Sequence, residues 1–340
     1  MLKQYNIALL LGDGVGPELI QSARQVFETV ERKSKGFSLN FSEYPFGQRP
    51  YEDRGQAIPD QTLAGIKASH ATLMGALSVE NIPSPSPVGF LRKELDLFAD
   101  VRPIHSFPGA WCLKPNIDLV CIRENTEGFL ADRNLYKGYG EFMPNKDQVM
   151  SLRVITRQAC EKIAEFAFKY ALTNQRKKIT VLHKGNVLKL GCGFFLEIVS
   201  EISKKFPEIE LTDEYIDSAA NNLIVKPESY DILLTTNLFG DIISDEAAAL
   251  VSSLVPTANI GPTNALFMPI NHDPRPHEAG LGVVNPLGTI LCTGLLLEHL
   301  GEIEAGQSVQ KAVRKGLQAG LLSECSTAEI TNVICSKIEI

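Results

Sequence analysis

YDILLTTNLFGDIISDEAAAL, residues Tyr230 to Leu250, is the stretch on which the fold turns. Asp231 to Thr236 is a short run of aliphatic and β-branched residues, the signature of a buried strand. Asn237 to Gly240 then turns the chain, and Asp241 opens an alanine-rich segment of helical pattern, so that Asp241 and Asp245 stand one helical turn apart on one face. A strand feeding a helix is the unit of an α/β sheet, in which ligands gather at the carboxyl ends of strands. Paired carboxylates there suit a hard divalent cation, since Mg²⁺ takes one or two carboxylates and completes its shell with water and substrate oxygens. An isolated Asp-x-x-x-Asp is more often an N-cap with a solvated second turn, so its surroundings decide the matter.

At 340 residues the chain exceeds the usual size of one core, and two domains are expected. Hydrophobic residues at 44% and charged residues at 21% describe an ordinary globular protein. The net charge of −7, with no block of Lys or Arg, argues against a nucleic-acid or membrane surface; an anionic substrate would be met by a few placed arginines. Seven cysteines lie scattered without zinc spacing, which suits free thiols in a reducing compartment. The apolar run Ile7 to Leu11 is too short for a signal-peptide core or a membrane span, and a cytoplasmic location is expected.

Upstream, a strand over Tyr5 to Leu11 leads into GDGVGPE (12–18) and a helix to about Glu31, with Pro17 in its first turn. A dinucleotide G-x-G-x-x-G would need glycine at 17, so that reading is rejected; a tight structural turn and an anion cradle both remain open. After a strand at Ala71 to Gly75, the proline-rich IPSPSPVG (82–89) forms a restrained loop able to line a pocket. Arg92, Arg102 and Arg123 each adjoin a strand or turn. Singly these read as surface ion-pair residues; converging, their guanidinium forks would suit a di- or tricarboxylic acid. Downstream, Gly128 to Gln148 lacks periodicity and reads as a surface loop, Met150 to Ala171 as a helix. The strand Ile179 to Leu182 delivers His183-Lys184-Gly185-Asn186, and Leu211 to Ile216 is a strand ending at Asp217. Ala265 to Pro286 is rich in turn formers and reads as an ordered loop, with helical patterns from Gly288 onward.

Taken together, GDGVGPE (12–18), LRKELDLFADVRP (91–103), IRENTEG (122–128), HKGNVLK (183–189) and NLFGDIISD (237–245) resemble the metal-dependent β-decarboxylating dehydrogenases of the isocitrate/isopropylmalate dehydrogenase family. The match runs in order over essentially the whole chain. IRENTEG in place of R-E-L-T-G-G tilts it toward the isocitrate, homoisocitrate or tartrate/malate branches. The resemblance implies an α/β fold of two domains sharing a large mixed sheet: a discontinuous cofactor domain, 1–99 and 252–340, and a substrate, metal and dimerisation domain, 100–251, with an extended arm at about 129–149. It implies a homodimer with shared active sites, in which Asp217, Asp241 and Asp245 hold Mg²⁺ or Mn²⁺ and Lys184 and Asp217 come from the second subunit. Lys184 is then the general base, Ser86, Val88, Arg92, Arg102 and Arg123 meet the substrate, and His272, Arg275, His277 and Asn285 meet the adenosine half of NAD or NADP.

The implied reaction oxidises a 2-hydroxy acid, such as isocitrate, homoisocitrate or 3-isopropylmalate, with tartrate and malate also open, and releases the neighbouring carboxylate as carbon dioxide. A divalent ion acidifies the hydroxyl and serves as an electron sink, while hydride leaves for the nicotinamide. Three departures qualify this. Val88 stands where a tricarboxylate-binding asparagine is expected. Leu130 replaces the tyrosine that helps protonate the enol, leaving Tyr136, Tyr139 or water to substitute. His272-Asp273-Pro274-Arg275-Pro276-His277 replaces H-G-S-A-P-D; His277 is a poor acceptor for ribose hydroxyls, and Arg275 with His277 could welcome a 2′-phosphate. The rival expectation is a non-catalytic or regulatory homologue that binds metal and substrate without efficient turnover.

Overall fold

The computed structural model describes residues 2–83, 85–129, 135, 137–138, 140–320 and 325–340. Its first part runs β1 (Lys3–Leu10), α1 (Gly16–Ser34), β2 (Phe37–Tyr44), α2 (Gln48–Arg54), α3 (Asp60–Ala68), β3 (Ala71–Met74), α4 (Pro87–Glu94), β4 (Ala99–His105) and β5 (Asp118–Glu124). An exposed hairpin, β6 (Glu141–Asn145) and β7 (Gln148–Ser151), precedes α5 (Arg157–Thr173), β8 (Lys178–His183), α6 (Lys189–Ser203), β9 (Glu210–Tyr215) and α7 (Ile216–Val225). The chain continues with β10 (Ile232–Thr235), α8 (Asn237–Leu250), β11 (Pro256–Ile260), β12 (Ala265–Pro269), α9 (Leu287–His299), α10 (Ile303–Gln318) and α11 (Thr327–Lys337).

Ten strands form one mixed sheet in the order β2-β1-β3-β12-β11-β4-β5-β10-β8-β9. The outer four on each side pair in parallel, while β12-β11, β11-β4 and β4-β5 are antiparallel. Three reversals in the middle mean that the two parallel wings point in opposite directions. Parallel strands covered on both faces read as continuous apolar runs, and β3, β10 and β12 are buried along their whole length. The largest cluster of buried side chains spans both wings, with Phe27, Phe168 and Phe267 among its fully enclosed members. No helix of the described residues is long and apolar enough to cross a membrane, and all seven cysteines are free thiols.

Several elements differ from the sequence reading. Ala265–Pro269 is a fully buried strand rather than the start of a loop, because the turn formers begin only after it; its neighbour Pro256–Ile260 was hidden by the proline at its head. The helix expected from Met150 begins at Arg157, where Thr156 caps it by accepting from the Ala159 N–H at 3.2 Å; Met150 lies in the hairpin, its apolar side chain mimicking a helical repeat. Part of the expected arm is that hairpin, while residues 130–134, 136 and 139 fall outside the described residues. Ile216 opens α7 instead of closing β9, which puts Asp217 in a first helical turn. The turn at 12–16 is structural: Asp13 N–H donates to Ala76 O and Val15 N–H to Pro274 O, both at 2.8 Å, so these amides are not free to cradle an anion. The Asp13 carboxylate accepts from the amides of Gln48 and Ser78, each at 2.9 Å.

The end of β5 is fastened by two buried acids. Glu124 accepts from the amides of Thr126 at 2.7 Å and Glu127 at 3.1 Å, and Glu127 accepts from the Thr156 N–H and hydroxyl, each at 2.8 Å. Burial pushes the Glu127 carboxyl up to about 7 in spite of those hydrogen bonds.

Two predictions arise from these joints. Gly14 has φ +54°, and an added Cβ would fall 1.9 Å from Pro274 O, so Gly14→Ala should lower the unfolding free energy by roughly 2 kcal/mol or more in urea titrations; an unchanged midpoint would refute the packing. For Glu127, the folded state holds a proton that the unfolded chain, titrating near 4.5, has released, so its contribution to stability declines as pH rises from about 4.5 to about 7. Glu127→Gln should therefore gain stability relative to the wild type between pH 5 and pH 8. A difference independent of pH would show that Glu127 does not titrate this way.

Candidate active site

Strand β4 puts Asp100 and Arg102 on the same face, since side chains two apart on a strand share a side. Across the antiparallel pairs, Asp100 lies opposite Arg123 of β5 and Asn259 of β11, which makes a polar row through the middle of the sheet. Arg92 reaches the row from the last turn of α4. Its Nε donates to Asn259 Oδ1 at 2.8 Å, and its Nη2 lies 3.4 Å from Asp100 Oδ2. Arg102 donates through Nη2 to Asp100 Oδ2 at 2.9 Å, and Arg123 Nη1 lies 3.6 Å from the same oxygen. Asp100 is wholly enclosed, and the three arginines are all buried. Burial alone would raise the Asp100 carboxyl, but Arg102, Arg92 and Arg123 together override it and bring it down to about 2. The same carboxylate, acting against burial, raises Arg102.

Helix α8 closes this cluster, and it begins earlier than expected. Thr236 takes the N-cap position with extended backbone, so Asn237 to Gly240 form the first turn instead of a separate bend. The Asn237 side chain does not compete with the helix, because its Oδ1 accepts from Arg123 Nε at 2.9 Å and its Nδ2 donates to Glu127 O at 2.8 Å. Glycine at 240 is required: an added Cβ would come within 2.6 Å of the Arg123 side chain. The helix then carries Asp241 to Arg123 Nη1 and to Arg102 Nη2, the latter at 3.4 Å, and carries Ser244 and Asp245 to Arg102 Nη1 at 2.7 and 3.1 Å. Asp241 and Asp245 keep 47% and 67% of their side-chain surface exposed, so lone pairs remain for another ligand. Burial raises the Asp245 carboxyl, with Arg102 opposing.

The remaining predicted residues distribute as follows. Lys184, after β8, donates to Asp217 Oδ1 at 2.5 Å, and its ammonium sits 6.0 Å from the Tyr215 ring centroid. This pair does not join Asp241 and Asp245 within the chain: among the described residues no three His, Cys, Asp or Glu side chains are placed to hold a metal ion. What the chain does offer a divalent cation is the open, hard-oxygen pair on α8, which fits half of such a site. Ser86 caps α4, its Oγ accepting from the Gly89 amide at 3.1 Å, and Val88 is buried in an apolar cluster with Phe46, Leu77 and Leu91. Leu130 lies outside the described residues.

A cavity of about 910 Å³ opens beside the turn at 12–16 and the segment 270–276, large enough for a cofactor. His272 lines it, its Nδ1 3.1 Å from Ile270 O, and burial lowers its pKa so that the ring is neutral. Arg275, His277 and Asn285 do not line it. Arg275 and His277 both turn to Glu278, at 3.3 and 3.5 Å, and Asn285 Oδ1 accepts from the Leu287 amide at 3.0 Å at the start of α9. The lining residues Asp13, Gln48, Arg49 and Asn271 escaped the sequence reading because they come from three separate segments. Asp100, Asn237, Ser244 and Asn259 were also missed. For Asp100 the signal was present, as it lies two residues from Arg102 on a strand.

Comparison with known proteins places this geometry. The family described as isocitrate/isopropylmalate dehydrogenase matches residues 6–338. The 3-isopropylmalate dehydrogenase of Methanothermobacter thermautotrophicus is 39% identical over 324 residues, covering 95% of this chain and 93% of that protein. The isocitrate/homoisocitrate dehydrogenase of Thermus thermophilus is 40% identical over 323 residues, covering 93% and 92%. The crystal structure of isocitrate dehydrogenase from Methylococcus capsulatus superposes with a TM-score of 0.89 at 35% identity, covering 98% of this chain and 99% of that one. With a matched family spanning nearly every residue and a solved structure superposing over nearly the whole chain, the chain belongs to the isocitrate/isopropylmalate dehydrogenase family, the NAD(P)-dependent β-decarboxylating oxidoreductases.

Proposed function

We propose that the protein catalyses the NAD(P)-dependent oxidative decarboxylation of a 2-hydroxy acid, with Mg²⁺ or Mn²⁺, as a homodimer with shared active sites. The observation that carries this is the cluster of three buried guanidiniums, two of which, Arg102 and Arg123, reach the open carboxylates of α8. Arg92, Arg102 and Arg123 bind the substrate carboxylates, and Asn237, which grips Arg123 from the first turn of α8, holds that fork in place. Asp241 and Asp245, with Asp217 of a second copy, hold the cation. When bound, the cation supplies Lewis acidity toward the substrate oxygens and the nicotinamide supplies the hydride acceptor. Lys184 of the second copy takes the hydroxyl proton at Nζ. In this reading residues 100–251 carry the metal and, with Arg92 from the other domain, the substrate, while 1–99 and 252–340 carry the cofactor in the 910 Å³ cavity with His272 on its wall.

Two features support the second copy. Lys184 and Asp217 pair with each other and not with α8, and large apolar side chains lie exposed close to them in the chain: Val187 and Leu190 at 67% and 89%, Ile224 and Val225 at 52% and 63%.

A panel of isocitrate, homoisocitrate, 3-isopropylmalate, tartrate and malate, each with NAD and NADP and with Mg²⁺ or Mn²⁺, should give nicotinamide reduction with at least one. No reduction with any would sink the proposal and favour a ligand-binding homologue without turnover. The sharing of sites has its own test. Lys184→Ala and Asp241→Asn chains should each be inactive, yet after mixing and subunit exchange they should recover about a quarter of the wild-type rate, because half the dimers would hold one intact site of two. No recovery on mixing, with exchange verified, would place Lys184 in the site of its own chain.

A further inference from the structure

Asp100 has no role in the chemistry described so far, yet it is the centre of the arginine cluster. It is the only side chain in the polar row to approach all three guanidiniums: Arg102 at 2.9 Å, Arg92 at 3.4 Å and Arg123 at 3.6 Å. With 0% of its surface exposed, it is walled off from any substrate and acts only through the arginines. Three like charges gathered out of water repel one another unless an anion lies among them, and here that anion is covalently part of the strand that carries Arg102.

The presence of Asp100 also fixes the charge of the pocket. Three guanidiniums face three carboxylates, those of Asp100, Asp241 and Asp245, so this chain's own contribution is neutral. The Lys184–Asp217 pair, counted as ammonium against carboxylate before Lys184 gives up its proton to serve as base, adds nothing net, and its deprotonation lowers the totals with and without Asp100 equally. A divalent cation would then leave two positive charges, the complement of a dianion; with a neutral residue at 100 there would be three, the complement of a trianion. The proline-rich loop agrees. Val88 is enclosed in an apolar cluster and gives a third carboxylate no hydrogen bond, and the Ser86 hydroxyl already serves the Gly89 amide.

We infer that Asp100 is a positioning residue that presets Arg92, Arg102 and Arg123 and, by cancelling one of their charges, tunes the site to a dicarboxylic 2-hydroxy acid over a tricarboxylic one. This rests on the metal-dependent dehydrogenase reading above, and it runs against the tilt that IRENTEG suggested toward the isocitrate branches.

The test compares the full-length wild type with Asp100→Asn, which keeps an acceptor and the volume while removing the charge. Binding is measured by calorimetry with Mg²⁺ present, and kcat and KM wherever turnover occurs. The probes are isocitrate as the trianion and the better-bound of malate and 3-isopropylmalate as the dianion. The wild type should favour the dianion by roughly tenfold or more, and Asp100→Asn should move the ratio toward isocitrate by about tenfold, chiefly through affinity and KM with less change in kcat. The shift should shrink as salt is raised, as a charge effect must. A wild type that prefers isocitrate, or a variant that changes both affinities alike within about threefold, overturns the inference; the second result would leave Asp100 as a folding counterion only. Should Asp100→Asn fail to fold, the salt dependence of the wild-type preference decides: a dianion-to-trianion ratio unmoved by salt overturns the inference. If no hydroxy acid is oxidised, the dehydrogenase reading fails by itself, while the calorimetric ratio still judges the role of Asp100.

Discussion

Placing three guanidiniums behind a helix, almost out of water, is the constraint around which the middle of this molecule is arranged. A buried charge is tolerated only when paired and hydrogen-bonded, and Arg92, Arg102 and Arg123 meet that demand through one enclosed carboxylate and two amides, Asp100, Asn237 and Asn259. These partners come from β4, α8 and β11, so the sheet order itself is written into the electrostatics. The antiparallel crossing at β11-β4-β5 brings Asn259, Asp100 and Arg123 into one row. The forks are held before any ligand arrives. A preset donor array gives up less entropy when an anion binds than flexible surface arginines would.

The row couples to α8 through a second set of fits. Asn237 joins Arg123 to the carbonyl of Glu127, Gly240 leaves room for the Arg123 stem, and Ser244 donates back to Gly240 O at 2.6 Å while accepting from Arg102. Through these contacts the rotation of α8 about its axis is set by the arginines, and with it the direction of Asp241 and Asp245. The helix therefore serves as the mount of two carboxylates, and its alanines at 247 and 248, both buried, let it lie close on the sheet.

Much of this was legible beforehand, for reasons that differ by residue. Asp241 and Asp245 announced themselves by helical spacing, and Arg102 and Arg123 by lying within or at the end of apolar strands, where a charge demands an explanation. Asp100 sat in plain view between Ala99 and Val101, but a single acid has no periodicity, and its meaning exists only when Arg92 and Arg123 are beside it. Strands β11 and β12 were missed because prolines open one and close the other, at Pro256 and Pro269, where edge or turn is the ordinary reading. In the segment matched to the cofactor, local neighbours stand out. Arg275 and His277, expected to meet a nucleotide, both lie within ion-pair distance of Glu278, next in sequence to His277. Local neighbours can neutralise a motif residue, and pattern alone does not weigh them.

The separation of Lys184 and Asp217 from α8 bears on why the family's chemistry would be divided between copies. Kept apart, the two halves are each self-consistent: Lys184 is paired to Asp217, and the α8 acids to Arg102 and Arg123. Exposed apolar side chains point the same way. Ile242, between the two aspartates of α8, is 60% exposed, and on the β6-β7 hairpin Met143 and Val149 are 59% and 64% exposed. An isolated chain gains nothing by showing water so many large apolar side chains. In the proposed dimer the burial of that surface provides the driving force for association, and the same association brings the ammonium and the third acid to α8. Assembly and the completion of the site would then be a single event, so that protomers poorly suited to dimerise would also be unable to react.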